Sequence, residues 1–430
     1  MQIEEITRQK DPSRRSRFMY ILEAAFDYFI SILVAGAYLA KVTSYIGMSD
    51  SMTGILTAFV SLGCGMQIVA VFLTRMKRVK SMVVTASIVN QLLFATVYLV
   101  PFLPETLRVP RSVILLVALL AAQAVMNVTR SSMINWMMSH VDDRQRGVFT
   151  AKKEIVSLVG GIAFNFLMGA VIDVFEANGN QRGAFFVCAL TVLGLSLLHT
   201  FTLLLTAEKE KDEKDKPYVS FRALLFDKNL VKIIVFSVLW HIAQYICAPF
   251  LGAYEVGTLG FSMTFIATLS MVASLTRVGV SMPMGRFADK HSFASAMMLC
   301  FVIRTVAFLA VAFSAPGVGK FILPVYTVLN AVSMAGISGG TINLVYDYVP
   351  REGRVAAMAL QNAIAGVAGF LTTLAVSPLV DRIQANGNTF LGFPIYAQQL
   401  LAIFACIGNI IVVLYLLFVI QRMKRAELDY

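Results

Sequence analysis

Residues 342–388 read INLVYDYVPREGRVAAMALQNAIAGVAGFLTTLAVSPLVDRIQANGN, and residues 134–180 align with them without a gap at a constant offset of 208. Twelve of the 47 positions are identical, among them Ile134/Ile342, Asn135/Asn343, Val141/Val349, Arg146/Arg354, Gly161/Gly369, Asp173/Asp381 and the whole Ala-Asn-Gly-Asn turn at 177–180 and 385–388. A common apolar composition does not explain identity at the turns and at a loop arginine. The chain therefore reads as two related halves running in the same sense.

Composition says what solvent the halves live in. Of 430 residues, 58% are hydrophobic and only 14% charged, against about a half and a quarter in an ordinary soluble domain. Mean hydropathy is +0.74. A bilayer core of ~30 Å needs about 20 apolar residues per helix. Twelve segments qualify, at roughly 18–46, 51–74, 81–103, 111–140, 148–174, 183–206, 231–259, 262–287, 293–315, 320–348, 353–380 and 393–420, numbered here spans 1 to 12. The expected fold is all-α, a polytopic membrane protein of 12 transmembrane helices in two six-helix repeats. Its predicted divisions are an N-terminal bundle over 1–206, a cytoplasmic linker over 207–230 and a C-terminal bundle over 231–430. The mixed-charge run Glu208-Lys-Glu-Lys-Asp-Glu-Lys-Asp-Lys216 reads as a solvated linker. The first seventeen residues are polar, with no cleavable signal pattern, so span 1 is expected to be retained.

The net charge of +11 has a membrane explanation rather than a nucleic-acid one. If the N-terminus is cytoplasmic, 27 of the 36 Lys/Arg fall on cytoplasmic segments and 5 on outer loops. That bias places both termini inside in a multi-pass protein of the plasma membrane, most simply a bacterial inner membrane. The five cysteines and four histidines are dispersed, which predicts neither a disulfide framework nor a metal site. No cofactor is expected. The absence of a Walker-type Gly-x-x-x-x-Gly-Lys-Ser/Thr loop argues against ATP hydrolysis by the chain itself.

Two six-helix halves joined by a charged linker, together with Gly285-Arg286-Phe-Ala-Asp289-Lys290 between spans 8 and 9, resemble the major facilitator superfamily and its Gly-x-x-x-Asp-Arg/Lys loop motif. In that motif a helix ends at the glycine, and the acid latches onto the start of a helix from the other half, here span 5 near Gly147. The resemblance thus implies gating roles for Gly285, Arg286 and Asp289, and for the repeat-related Arg146 and Arg354, with Asp347 near the inner end. The equivalent loop between spans 2 and 3, Leu73-Thr-Arg-Met-Lys77-Arg78, has the bases but lacks the acid. The Pro-Glu-Ser signature of sugar porters and the proline-bearing span-5 motif of drug antiporters are absent.

The resemblance also implies that spans 1, 4, 7 and 10 line a cavity, and helical phase can be set beside that. On an unbroken helix Glu23, Asp27, Ser31, Tyr38 and Lys41 of span 1 share an arc of about 80°. Gln123, Asn127 and Arg130 share a face of span 4. His241, Gln244, Tyr245, Gly252 and Glu255 form a stripe on span 7, and Asn330, Ser333 and Thr341 one on span 10. Lipid penalises such faces. Asp27 and Arg130 each lie some nine or ten residues from the cytoplasmic end, ~14 Å deep at ~1.5 Å per residue. Asp27 is expected to be the proton site, with Glu23 as relay and Arg130 as the cation that exchanges with the proton, as in some proton-coupled members. Tyr28, Gln123, Asn127, Arg130, His241, Gln244, Tyr245 and Asn330 are expected to bind solute.

The expected function is secondary active transport of a small polar solute by alternating access, by a monomer, with protons as coupling ion and sodium the alternative. Parallel repeats of this kind occur in carriers whose halves rock about a midplane site. Two other readings are an efflux carrier for amphipathic compounds, suggested by 21 Met and 31 Phe, and a membrane-embedded sensor or enzyme. An enzyme would need a nucleophile–base pair, and none is visible in the sequence.

Overall fold

The computed structural model describes residues 12–69, 79–104, 107–141, 146–208, 226–349 and 354–423. Eleven of its helices are long and apolar enough to cross a membrane, and the broken pair Ser13–Leu33 plus Gly36–Tyr45 makes a twelfth. Span 1 is Pro12–Leu33 and Gly36–Tyr45, span 2 begins Asp50–Cys64, and spans 3 to 6 are Val79–Leu99, Arg111–Met138, Arg146–Ala177 and Gln181–Leu205. Span 7 is Lys228–Tyr245 followed by Ala248–Ala253 and the π-turn Tyr254–Thr258. Spans 8 to 12 are Met263–Lys290, Phe293–Ala312, Gly319–Tyr348, Arg354–Ala385 and Ala397–Tyr415. A short hairpin, Thr389–Phe390 with Phe393–Pro394, precedes span 12.

The repeated turn is repeated in three dimensions. Gly179 and Gly387 both have φ of 68°. Asn180 N–H donates to Phe175 O at 2.9 Å, and Asn388 N–H to Ile383 O at 2.9 Å. Gly179 and Gly387 N–H reach Glu176 O and Gln384 O at 2.9 and 3.0 Å. These are the paired bonds that end a helix in a left-handed glycine, and they fall on equivalent positions of spans 5 and 11. Asn180 then caps span 6, its Oδ1 accepting from Gly183 N–H at 2.9 Å.

The first helix of each half is broken. Span 1 stops at Leu33 and restarts at Gly36, which has φ of 53°. Span 7 stops at Tyr245 and restarts at Ala248, next to Pro249, whose ring cannot donate to the ladder. Each break frees backbone carbonyls where no water is at hand. The Tyr98 hydroxyl donates to Leu33 O at 2.6 Å, and the Thr373 hydroxyl to Tyr245 O at 2.9 Å. The expected faces of spans 1 and 7 assumed unbroken helices, and both helices are interrupted. Span 8 differs too, because its helix runs through Gly285 and ends at Lys290.

The chain forms two compact units that do not follow the expected 1–206 and 231–430 division. The first joins Met1–Ala35 to Val69–Lys216. In it span 1 packs on spans 5 and 6, and span 3 on spans 4 and 6. Tyr20, Val83, Trp136, Met137 and Leu203 make an apolar core near one end. That end is stitched around the C-terminus of span 6. Ala207 O accepts from Trp136 Nε1 at 2.9 Å, Ala207 N–H donates to Ser16 Oγ at 3.1 Å, and the Lys80 ammonium donates to Leu204 O and Thr206 O at 2.8 and 2.7 Å. A cation on the last carbonyls of a helix is favoured by the helix dipole. Most of the expected linker lies outside the described residues.

The second unit joins Gly36–Ile68 to Pro217–Tyr430. Span 9 packs on spans 10 and 12 and span 7 on span 11, around Phe236, Met297, Phe301, Ile337 and Val412. Residues 36–68 belong here because of close backbone packing. A Cβ on Gly252 would lie 2.7 Å from Gly36 C and 2.9 Å from its O, and one on Gly366 would overlap Ser61 O. The contact is secured by polar bonds: Ser61 Oγ to Gly366 O at 2.8 Å, Ser377 Oγ to Ser51 O at 3.1 Å, and Gln384 Nε2 to Asp50 Oδ2 at 2.7 Å. A side chain has no room here. Gly366→Val is therefore expected to destabilise the purified protein by about 1–3 kcal/mol through overpacking, read as a lower thermal midpoint in detergent, whereas Gly257→Ala, with open space around it, should leave the midpoint unchanged.

Candidate functional site

In the first unit Glu23 of span 1 is a buried carboxylate with a histidine partner. It is 1% exposed, and its Oε1 lies 3.0 Å from His199 Nε2 of span 6. The other ring nitrogen of His199 meets the Gln91 amide of span 3. Asp27, one turn along span 1, is half-buried, and Arg130 is exposed. No hydrogen bond or ion pair joins Asp27 to Arg130 among the described residues. The structure thus brings Glu23 into a buried pair that the sequence reading did not contain. The signal was available: His199 follows Leu197 and Leu198 in a span with no other ionisable group beyond Arg182 at its start, and an ionisable group inside an apolar span asks for a partner.

Span 4 carries its polar face as expected. Gln123 and Asn127 are buried, and Asn127 Nδ2 donates back to Gln123 O at 2.9 Å, which leaves the Gln123 side-chain oxygen buried without a partner. Tyr28 is half-buried with its ring against Gly161 of span 5, so one of the repeat-matched glycines exists to let that ring in.

In the second unit, the span-7 residues form an aromatic and amide group. His241 stacks on Tyr245 with ring centroids 5.9 Å apart and planes at 7°, and Trp240 meets His241 edge-on at 4.9 Å. His241 Nδ1 lies 2.8 Å from Ser237 O. A carbonyl only accepts, so the Nδ1 proton points there and Nε2 is left as an acceptor. Ser237 is held in turn by Gln361 of span 11, whose Nε2 donates to its hydroxyl at 2.6 Å. Trp240 Nε1, Gln244 Oε1 and, in span 10, Asn330 Oδ1 are buried with no hydrogen-bond partner among the described residues. Ser237, Gln361 and Thr373 were not visible from the sequence, because their roles come from bonds between distant spans.

The expected gating residues are scattered. Gly285, Arg286 and Asp289 are exposed along the last turns of span 8, and the Arg286 guanidinium reaches only Met282 Sδ, at 3.5 Å. Arg354 has a defined job: its guanidinium donates to Val349 O and Tyr346 O at 3.1 and 2.8 Å and lies 4.7 Å from the Tyr346 ring, capping the end of span 10. Asp347 is half-buried. The side chain of Arg146, like the loop at 73–78, falls outside the described residues. Arg304 of span 9 is fully buried, with Nη1 3.1 Å from Met334 Sδ and its charge 5.4 Å from the Phe308 ring. A thioether and an aromatic face are soft partners for a cation.

Comparison with known proteins accords with this architecture. The sequence model of the Major Facilitator Superfamily matches residues 19–373. Among solved structures, a mutant of the nucleoside transporter NupG aligns with a TM-score of 0.72 at 12% identity, covering 94% of this chain and 99% of the other. An auto-inhibited POT family peptide transporter gives 0.71 at 12% identity, over 97% and 98%. A D-xylose-proton symporter gives 0.66 at 12% identity, over 93% and 97%. At such identities the likeness is one of fold. No curated protein matches the sequence.

The hydroxyl on the span-7 break gives a direct check of the local chemistry. Thr373→Val keeps the side-chain shape and removes the donor to Tyr245 O; leaving a buried carbonyl unfilled costs about 1–3 kcal/mol, so thermal unfolding should show a clear loss, with Thr373→Ser largely restoring it.

Proposed function

We propose that this chain, which belongs to the major facilitator superfamily, is a secondary active transporter that moves a small polar solute across the plasma membrane by alternating access, coupled to protons. The observation that carries the solute class is the set of unfilled acceptors. In the second unit, Gln244 Oε1 of span 7 and Asn330 Oδ1 of span 10 are buried with no hydrogen-bond partner among the described residues, and in the first unit Gln123 Oε1 of span 4 is left in the same way. Each such atom costs about 1–3 kcal/mol unless a donor arrives. With His241 Nε2, the acceptors of the second unit call for a solute rich in O–H or N–H groups, such as a sugar, a sugar derivative or an amino acid. Trp240 and Tyr245 supply flat aromatic faces next to His241.

Proton coupling is supported by the buried carboxylate of span 1. Glu23 lies on the same helix as Asp27, and Tyr20 is within Coulomb reach of both Glu23 and Arg130, so acids of span 1 and the arginine of span 4 share one electrostatic neighbourhood. In this reading Asp27, Glu23 and Arg130 exchange a proton for a side-chain contact as solute moves, and Gly285, Arg286, Asp289, Arg146 and Arg354 work at the cytoplasmic gate. The orientation follows from the Lys/Arg bias, with both termini inside a bacterial inner membrane. The transporter is taken to act as a monomer.

A thermal-shift screen of the purified chain against sugars, nucleosides, amino acids and amphipathic drugs tests the solute class, because a ligand that binds the folded state stabilises it by mass action. Donor-rich polar solutes should raise the midpoint, and Gln244→Leu should weaken the effective solute about 10-fold, or ~1.4 kcal/mol. Stabilisation by amphipathic drugs alone would overturn the polar reading. In uptake assays Asp27→Asn is expected to abolish pH-dependent accumulation while leaving downhill exchange; unchanged pH dependence would remove Asp27 from the coupling path.

A further inference from the structure

Three side chains from spans 1, 3 and 6 converge in the first unit: Glu23 at 1%, Gln91 at 2% and His199 at 2% exposure. His199 is the middle member. Its Nε2 lies 3.0 Å from Glu23 Oε1, and its Nδ1 meets Gln91 Nε2. An amide nitrogen only donates, so Nδ1 accepts and the ring proton sits on Nε2, directed at the carboxylate. In that state the ring is neutral and Glu23 carries the cluster's single negative charge. Two atoms are left over. Glu23 Oε2 and Gln91 Oε1 are both buried with no hydrogen-bond partner. A buried charge with an unfilled oxygen is expensive, and one added proton cancels the net charge. If it lands on Oε2, the cluster is neutral. If it lands on Nδ1, the new N–H faces the amide NH2, and turning the Gln91 amide over brings its unfilled Oε1 onto that proton. Either way the site takes one proton from water and becomes net neutral.

We infer that Glu23, His199 and Gln91 form a one-proton binding site, with His199 and Glu23 holding the proton and Gln91 positioned to follow it by reversing its amide. The ionisable groups around it are few. Span 1 presents Asp27, within Coulomb reach of His199, and Tyr20, within reach of Glu23. Span 4 presents Arg130, and span 5 presents Lys153, whose ammonium lies 5.2 Å from the Tyr20 ring. Span 3 contributes Gln91, while its Lys80 is engaged at the end of span 6. Asp27 is therefore the further acid within reach of the imidazole, where its shift changes the field the cluster feels, while Arg130 and Lys153 lie near Tyr20. Its part in transport rests on the proton-coupled reading above, but the site can be tested without any solute.

The chain has four histidines, His140, His199, His241 and His291, so ring-15N-histidine spectra of the full protein in lipid nanodiscs are tractable. His199→Gln assigns the signal; if that variant does not fold, a chain retaining His199 as sole histidine (His140→Asn, His241→Gln, His291→Asn) gives the same spectrum. The expected result is a neutral ring protonated on Nε2 at alkaline pH, a single-step change on acidification, and a midpoint moved by about 1 pH unit or more in Glu23→Gln. Gln91→Leu should alter the Nδ1 shift more than the Nε2 shift. A His199 signal that ignores both pH and the Glu23 substitution overturns the site. If that happens while solute uptake still follows an imposed pH gradient, the proton-coupled reading survives without it; if the ring titrates as described but uptake ignores the gradient, the site stands and the coupled reading falls.

Discussion

Every structural choice in this chain answers to one constraint: inside hydrocarbon there is no water to satisfy a polar group, so each must find a partner within the protein or stand ready for one. The broken helices show the rule obeyed. Spans 1 and 7 interrupt their backbone ladders at Leu33 and Tyr245, and in each case a hydroxyl from another helix, Tyr98 or Thr373, takes a freed carbonyl. The side chains show where satisfaction is incomplete. Acceptors on Gln123, Gln244 and Asn330, and oxygens on Glu23 and Gln91, are buried and unfilled. In the proposed reading the acceptors on Gln244 and Asn330 await a solute, and the oxygens on Glu23 and Gln91 a proton.

The two breaks also lend meaning to how the chain divides into compact units. The boundary at Ala35/Gly36 falls at the interruption of span 1. The glycines at 252 and 366 let residues 36–68 approach backbone to backbone within the second unit, and the bonds that secure this contact, from Ser61, Ser377 and Gln384, are single hydrogen bonds worth about 1 kcal/mol each. Close packing held by weak, replaceable bonds is the kind of contact that a transport cycle can make and unmake.

Much of this was legible in the sequence. Apolar run lengths located the twelve spans to within a few residues at most ends, and the repeat was confirmed down to matching turn hydrogen bonds at Asn180 and Asn388. What escaped was whatever depended on a helix not being straight or on partners far apart in sequence. Phase arguments for Tyr38, Lys41, Gly252 and Glu255 assumed continuous helices, and both helices are interrupted before those residues. The loop-motif resemblance implied a helix end at Gly285, yet the helix of span 8 runs on to Lys290; a glycine with open space around it is tolerated inside a helix at a cost near 1 kcal/mol. Glu23 was marked as a relay, but its partner His199 lies 176 residues away, beyond the reach of any local pattern. Asp27 and Arg130 were matched by depth and by the polar faces of their helices, and no hydrogen bond or ion pair joins them among the described residues.

The proposed proton-driven movement of a donor-rich solute rests on the buried acid–imidazole pair of the first unit and, separately, on the unfilled acceptors of the second. The most direct test uses the full chain in proteoliposomes, with a stabilising solute and an imposed pH gradient. Solute should accumulate above its external concentration only while the gradient lasts, and a protonophore should collapse that accumulation to simple equilibration. Accumulation that survives the protonophore and needs sodium, or equilibration that never exceeds the external concentration under any pH gradient, would contradict proton coupling while leaving the twelve-span fold untouched.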